Sequence, residues 1–374
     1  MEKLIVKNFG PIKEAEIDLT KYVIFIGDTS TGKSVLAKLI AIFRDFSNLL
    51  KNKVEDFDYT KELDFNNQLK NYNIDFNYED TKIEYYNANL VLTINNRKID
   101  TIIDSYAKAK LMDLTNLPNN LSGNDIKKIF SIIGVRGKSV YFPPERILTS
   151  MVGPSISGLW ANNVALPLCF KNFAASYEYA RKEKSNMLFE DFGFSYSSVN
   201  NEELIYNTSG EFQLSQASSG IQSLLPLLLV FDYELEIEIF KPDLTFLVEE
   251  PELNLFPIKQ KKLIDYLVKR LNNTEHKLII TTHSPYILSA LDSLILAKNT
   301  YNEHPELKEE ICKIISEDKW IDFEDISVYE VRNDGKVYSI KNDEFKSIDS
   351  NAIDSVSDII STEFDKLTDL RYAQ

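Results

Sequence analysis

The chain has 374 residues, 44% of them hydrophobic and 26% charged, a globular balance that excludes disorder as its main state. Its two cysteines, Cys169 and Cys312, exclude a disulfide framework and a four-cysteine zinc site. No run approaches the ~20 apolar residues of a membrane span and Met1–Lys7 carries no apolar signal segment, so a cytoplasmic protein is expected, and a net charge of −15 opposes nonspecific wrapping of nucleic acid.

Short apolar bursts at Leu4–Val6, Ala15–Leu19 and Tyr22–Ile26 predict three strands, with turns near Gly10-Pro11 and Thr20-Lys21. Leu36, Leu39, Ile40, Ile42 and Phe43 then recur at helical spacing, so a helix directly follows the third strand. Residues 51–134 are rich in Asn, Asp, Lys and Tyr and read as an inserted lobe. Strand-like alternation marks Tyr72–Tyr78 and Ile83–Ile94 there, and short helices are expected over Ile102–Met112 and Asn124–Ile133. Val140-Tyr141-Phe142, ended by Pro143-Pro144, predicts a return to a core strand. Residues 164–183 suit a long helix with no heptads beyond it, so no long coiled coil follows.

Leu204–Leu214 reads as a hairpin around Asn207–Gly210, and Ser219–Tyr233, apolar nearly all round, as a buried helix. A buried strand at Leu244–Val248, a helix at Ile258–Leu271, a strand at Leu278–Thr281 and a helix from Pro285 complete an alternating pattern. Apolar strands alternating with helices predict an α/β fold with a largely parallel sheet covered on both faces. Ile326–Val331 and Lys336–Ile340 form a final hairpin around Asn333-Asp334-Gly335.

Three groups of residues carry candidate chemistry. Gly27-Asp28-Thr29-Ser30-Thr31-Gly32-Lys33-Ser34 matches the phosphate-loop pattern G-x-x-x-x-G-K-[ST] without a mismatch, between a strand and a helix. Its glycines let backbone N–H groups face a phosphate, Lys33 would reach the β- and γ-phosphates, and Ser34 would hold Mg²⁺. The alternative is a glycine turn ahead of an ordinary helix. Glu249 and Glu250 end a hydrophobic strand, where parallel sheets bind ligands. Glu249 would hold Mg²⁺ or its bound water and Glu250 would orient or deprotonate an attacking water, with Glu252 a weaker candidate; the alternative is an acidic turn. His283 follows another buried strand and would sense a γ-phosphate, or simply cap the next helix, whereas His276 and His304 sit in polar stretches and carry no assigned role.

In this order the pieces resemble the ATP-binding-cassette type of P-loop ATPase in soluble proteins of the RecF, SMC and OLD groups. Gly27–Ser34 looks like their Walker A, Val248–Pro257 like their Walker B and D-loop, and Thr282–Pro285 like their switch-histidine motif. Ala217-Ser218-Ser219-Gly220-Ile221-Gln222 resembles a degenerate signature motif, although Ser218 and Ser219 also read as an ordinary N-cap. The resemblance covers about residues 1–45 and 135–295. Glu249 stands where those proteins carry Asp, the double glycine of the signature is missing, and no Q-loop glutamine is placed: Gln68 lies in the lobe, Gln213 and Gln216 beside the signature. Arg146, in Tyr141–Arg146, would approach a phosphate or a partner subunit, or form a structural ion pair.

The resemblance implies an ATPase domain of residues 1–50 and 135–374, with a β-rich N-terminal part, a mixed or parallel sheet and the inserted lobe. It implies ATP and Mg²⁺ as cofactors, and a homodimer or higher oligomer in which Ser218, Ser219 and Gly220 meet the nucleotide of the opposite chain. Compact ATPases that look like this occur in bacterial anti-phage defence, of the Septu-like and the PARIS and AbiL types. They control a separate effector, a nuclease or toxin. No carboxylate set for a nuclease metal site is visible here, and Asp349, Asp354 and Asp358 read as a solvated helical face. Two alternatives stay open. One is a RecF-like repair ATPase that binds DNA through Lys127, Lys128, Arg136 and Lys138 or through Lys259, Lys261, Lys262, Lys269 and Arg270, clusters that equally read as solvated faces. The other is a nucleotide-dependent interaction protein without turnover.

Overall fold

In strand β3 (Tyr22–Gly27) side chains alternate between two buried faces, Tyr22, Ile24 and Ile26 on one, Val23 and Phe25 on the other. A strand buried on both sides belongs in the middle of a layered α/β fold. A computed structural model of the chain bears this out; it describes residues 2–44, 65–76, 80–87, 90–95, 98–103, 137–152, 164–199, 202–236 and 243–372.

The elements run β1 (Lys3–Phe9), β2 (Ile12–Asp18), β3, α1 (Lys33–Arg44), α2 (Phe65–Asn71), β4 (Lys82–Asn87), β5 (Leu90–Asn95), β6 (Lys98–Ile103) and β7 (Gly137–Phe142). They continue with α3 (Ile147–Val152), α4 (Leu168–Glu183), β8 (Asn186–Phe189), β9 (Phe194–Val199), β10 (Glu202–Asn207), β11 (Gly210–Gln213), α5 (Ser219–Glu236) and β12 (Asp243–Glu249). Last come α6 (Pro257–Leu271), β13 (Lys277–Thr282), α7 (Pro285–Glu303), α8 (Lys308–Ile314), β14 (Ile326–Val331), β15 (Val337–Ser339), β16 (Lys341–Asn342), β17 (Ser347–Ile348) and α9 (Ser350–Tyr372).

The central sheet has the order β15-β14-β3-β13-β12-β7, parallel except for the antiparallel edge strand β15. The tips of β3, β12 and β13 therefore emerge side by side at one end. One core joins α5, α6 and α7 to one face of this sheet. A second core holds α1 between the other face and an antiparallel sheet of order β2-β1-β4-β5-β6. A separate antiparallel sheet, β11-β10-β9-β8, packs on the first core.

The expected α/β architecture is present, with three local corrections. Residues 72–76 form no strand; Phe65 and Leu69, four apart, bury one side of α2, and the chain then turns so that Ile74 is buried and Phe76 packs edge-on against Phe9. Ile102 and Ile103, expected to open a helix, end β6, which pairs with β5; residues 104–112 and 124–133 lie outside the described residues. Strands β4–β6 extend the N-terminal sheet by pairing β4 with β1, so the boundary drawn at residue 51 cuts across a sheet. Helix α4 turns back at Glu183 into β8, a strand without a clear sequence signal. The side chains of Asp354 and Asp358 lie outside the described residues.

Candidate functional site

The phosphate loop leaves β3 at Gly27, which pairs with Val331 of β14. A Cβ on Gly27 would lie 2.2 Å from the Val331 carbonyl oxygen, so only glycine fits this crossing. Gly27 (φ +154°), Ser30 (φ +63°) and Gly32 (φ +109°) bend the loop back over the strand. Helix α1 begins at Lys33, and its first N–H groups lack intrahelical acceptors and face the loop with the positive end of the helix dipole. Lys33 is 5% exposed, and its ammonium donates to the Gly27 carbonyl at 2.9 Å and to the Asp28 carbonyl at 2.8 Å. Burial pulls its pKa below the ordinary lysine value, against the pull of Glu250, Glu252, Asp28 and Glu249.

Glu249 is the last residue of β12, in register with Thr281 of β13, and is 3% exposed. The Tyr141 hydroxyl donates to its Oε1 at 2.9 Å, Lys38 Nζ lies 4.0 Å away, and the Ser34 hydroxyl is near enough to favour its charged form. Burial pushes the Glu249 carboxyl above the usual range, opposed by Lys38, Ser34 and Tyr141. Glu250 takes φ +45°, its N–H donates to the Thr281 carbonyl at 2.8 Å, and its carboxylate remains partly exposed. His283, just past the tip of β13, bridges the site. Its Nδ1 is 3.5 Å from Lys33 Nζ and its Nε2 is 3.6 Å from Glu250 Oε1. Lys33, His283 and Glu250, 250 and 33 residues apart in sequence, thus meet at adjacent strand tips.

Glu252, a weaker candidate in the sequence, holds this histidine: its Oε1 accepts from the Thr282 hydroxyl at 2.8 Å and from the His283 N–H at 2.7 Å. Ser284 caps α7, accepting from the Tyr286 N–H and donating to Gln260 Oε1 at 2.6 Å. Tyr141 and Lys38 had no assigned role in sequence. Lys38 lies one turn after Ser34 on α1, which is the one local signal that could have pointed to it.

Ser219 and Gly220 open α5, and Ser218 precedes it with its Oγ accepting weakly, at 3.5 Å, from the Ile221 N–H. Gly220 lies against the turn after Glu250, where an added Cβ would meet the Asn254 carbonyl oxygen at 2.9 Å. Among the described residues no hydrogen bond joins these three residues to the phosphate loop of the same chain.

The sequence reading of Arg146 changes, and the surroundings of His276 and of the basic clusters become explicit. Arg146 makes no ion pair among the described residues; its guanidinium, 1% exposed, is held by backbone carbonyls. His276, given no role from the sequence, is 5% exposed and its Nδ1 accepts from the Leu244 N–H at the start of β12, a structural part. The basic residues of α6 are engaged within the fold: Lys259 and Lys262 donate to the Phe192 and Asp191 carbonyls, while Lys261, Lys269 and Arg270 pair with Asp265, Asp318 and Asp232. Lys138 pairs with Glu234; Lys127, Lys128 and Arg136 lie outside the described residues.

Among the described residues no cluster of three or more His, Cys, Asp and Glu could hold a metal ion. Ser34 and Glu249, near each other at the tips of α1 and β12, instead offer one hydroxyl and one carboxylate. That donor set fits Mg²⁺, a hard cation commonly bound through one or two carboxylates with the rest of its shell left to water and phosphate oxygen. No helix among the described residues is long and apolar enough to cross a membrane.

No curated protein matches the chain. Its fold is similar to solved SMC heads: one bound to the C-terminal winged-helix domain of ScpA (14% identity, 90% of this chain and 96% of that chain covered, TM-score 0.41) and one from Thermotoga maritima (14%, 77% and 90%, 0.38). A third is a head with an extended coiled coil bound to the C-terminal domain of ScpA, derived from Pyrococcus furiosus (13%, 96% and 100%, 0.39). Residues 162–288, which carry Ser218–Gly220, Glu249, Glu250 and His283, match the family described as AAA ATPase domain.

Proposed function

We propose that this chain is an ATPase of the ATP-binding-cassette type that works as a nucleotide-gated switch. The observation that carries the reading is the meeting of Lys33, His283 and Glu250 within 3.5 and 3.6 Å at neighbouring strand tips, beside a glycine loop that opens a helix. In this reading the loop amides and the α1 terminus receive the phosphates. Lys33 exchanges its carbonyl partners for β- and γ-phosphate oxygens, a favourable trade for a buried ammonium. Ser34 and Glu249 hold Mg²⁺, which when bound neutralises phosphate charge. Glu250 takes the proton of the attacking water, and His283 meets the γ-phosphate and reports its loss.

The switch would operate between chains. Ser218, Ser219 and Gly220 stand at the exposed start of α5, and Gly220 lies against the turn that leads into α6, whose N-cap Phe256 and first-turn Ile258 are 77% and 54% exposed. Such a surface suits closure of a second copy over the nucleotide, with a separate nuclease or toxin as effector in a defence system. The DNA-clamping reading has less support, because the α6 lysines are already satisfied by carbonyls and carboxylates.

The test is phosphate release and equilibrium nucleotide binding by the purified chain with Mg²⁺. Lys33→Ala should weaken ATP binding by about a hundredfold, the loss of a charge-assisted contact worth roughly 2–3 kcal/mol. Glu250→Gln should keep ATP affinity and lose turnover by about 10²- to 10⁴-fold. Unchanged phosphate release by Glu250→Gln, or wild-type affinity in Lys33→Ala, would refute the assignment.

A further inference from the structure

We propose that Arg146 is a positioning residue for Glu250: it fixes the backbone of the acid and makes that placement depend on helix α5. The inference rests on the ATPase reading and adds a residue that acts on the reaction without touching it.

Arg146 follows Pro143-Pro144 in a single 3₁₀ turn after β7. The turn sends its side chain inward, and it is among the largest fully buried side chains in the protein. Its donors divide among three elements. Nη1 donates to the Glu249 carbonyl at 2.8 Å and Nη2 to the Glu250 carbonyl at 2.8 Å, so the planar fork spans two successive peptide groups at the tip of β12. Nε donates to the Ser223 carbonyl in α5 at 3.2 Å, and Nη1 also to the Pro143 carbonyl at 3.2 Å.

Two features say that this is more than glue. The first is the conformation it holds. Glu250 has φ +45°, a region that non-glycine residues occupy only where their surroundings impose it. Its N–H is fixed by the Thr281 carbonyl, and its C=O accepts from Arg146 at 2.8 Å and, at the longer 3.2 Å, from the Leu253 N–H of the following turn. Without Arg146 only the longer Leu253 contact holds that carbonyl, and the peptide can relax toward negative φ and swing the carboxylate away from His283. The second is the charge. A buried cation costs stability unless it is compensated, and burial pushes this guanidinium down to about 10. Glu145 and Glu249–Glu252 supply field, yet no carboxylate of the described residues pairs with it directly. A purely apolar side chain would fill the space without that penalty. What it could not do is bind α5 and the Glu250 peptide through one rigid plane. Ser223 lies one turn beyond Ser219 and Gly220. A shift of the start of α5 is therefore passed to the backbone of the acid.

Arg146→Lys keeps charge and approximate length but replaces the planar fork by a point donor. The experiment compares wild type, Arg146→Lys, Glu250→Gln and the double variant by turnover at saturating ATP and Mg²⁺, by equilibrium binding of a fluorescent ATP analogue, and by melting temperature. Arg146→Lys should lose at least tenfold in kcat, with nucleotide affinity within threefold of wild type. The double variant should be no slower than Glu250→Gln alone, because both act through one group. Where Arg146→Lys does not fold, Arg146→Met, uncharged and of similar reach, is read the same way. Wild-type kcat in the variant, a loss of kcat that only mirrors lost affinity, or losses that multiply in the double variant would each overturn the inference while leaving the ATPase reading intact. A wild-type chain without turnover would overturn the ATPase reading and this inference with it.

Discussion

The two ends of the central sheet use the same kinds of residue in opposite ways. At the end where β13 begins, Glu2 accepts from Arg44, from Lys277 at 2.8 Å and from the Tyr85 hydroxyl at 2.7 Å, and Lys277 also donates to the Leu19 carbonyl. Glu2, Arg44 and Lys277 are thus met by one another's side chains, although Arg44 Nε has no partner among the described residues and neighbouring Lys21 donates to the Asn272 and Thr274 carbonyls. At the end where β13 stops, Lys33 and Arg146 are met by backbone carbonyls, and the carboxylate of Glu250 and the ring of His283 remain about one-third exposed. Saturating side chains against one another fixes a fold; at the open end the partly exposed Glu250 carboxylate and His283 ring keep groups available to a ligand.

The sharpest way to break this contrast is at Gly27. Gly27→Ala places a methyl 2.2 Å from the Val331 carbonyl oxygen, in the backbone that carries the loop. Relieving it must displace the loop from β14. With a strain of about 3 kcal/mol, nucleotide affinity should fall roughly a hundredfold, read by equilibrium binding. Wild-type affinity would mean that the loop needs no such close crossing.

Glu2→Gln tests the other end. It strips the shared carboxylate from Arg44 and Lys277 and should cost about 3 kcal/mol of stability in urea unfolding, with nucleotide affinity unchanged. The pH dependence has a definite sign. Burial pushes the Glu2 carboxyl up, but Arg44 and Lys277 outweigh it, and the net shift is below the ordinary 4.5. A lowered folded-state pKa stabilises above the unfolded value and fades as pH falls through the folded one. The gap between wild type and Glu2→Gln should therefore be full at pH 7 and close below about pH 4. A gap that persists in acid would show that packing, not charge, holds this end.

The contrast also explains what could be read in advance. The strand, loop and helix over residues 22–44 were legible because each signal is local: apolar alternation, two glycines five apart, then helical periodicity. Glu249, Glu250 and His283 were legible because strand tips follow from the strands. The Glu2 cluster was not, since it joins residues 2, 44, 85 and 277 and no spacing relates them. Nor was the pairing of β1 with β4, which depends on register across some eighty residues. Arg146 was the hardest case. Its partners are carbonyl oxygens, which every residue has, so no residue type in the sequence marks them. The burial of His276 was hidden for a related reason: its neighbours Glu275 and Lys277 are polar, yet its ring is inside and accepts from the Leu244 N–H.

The smallest expected effect lies between the two ends in kind, at Tyr141. Its hydroxyl donates to Glu249 Oε1 at 2.9 Å, a side-chain contact of the closed type placed at the open end. Its ring is fixed edge-on against Tyr72, with Lys38 over its face, so removing the hydroxyl should leave the packing in place. Tyr141→Phe should then act only on the orientation of the Glu249 carboxylate. Partners of this sort tune metal affinity, at most about tenfold here because Lys38 still lies beside the same group. The Mg²⁺ concentration for half-maximal turnover should rise by that factor, with kcat at saturating Mg²⁺ close to wild type. A fall in kcat at saturating Mg²⁺ would instead tie Tyr141 to Glu250, and the separation of roles between the two neighbouring acids would have to be given up.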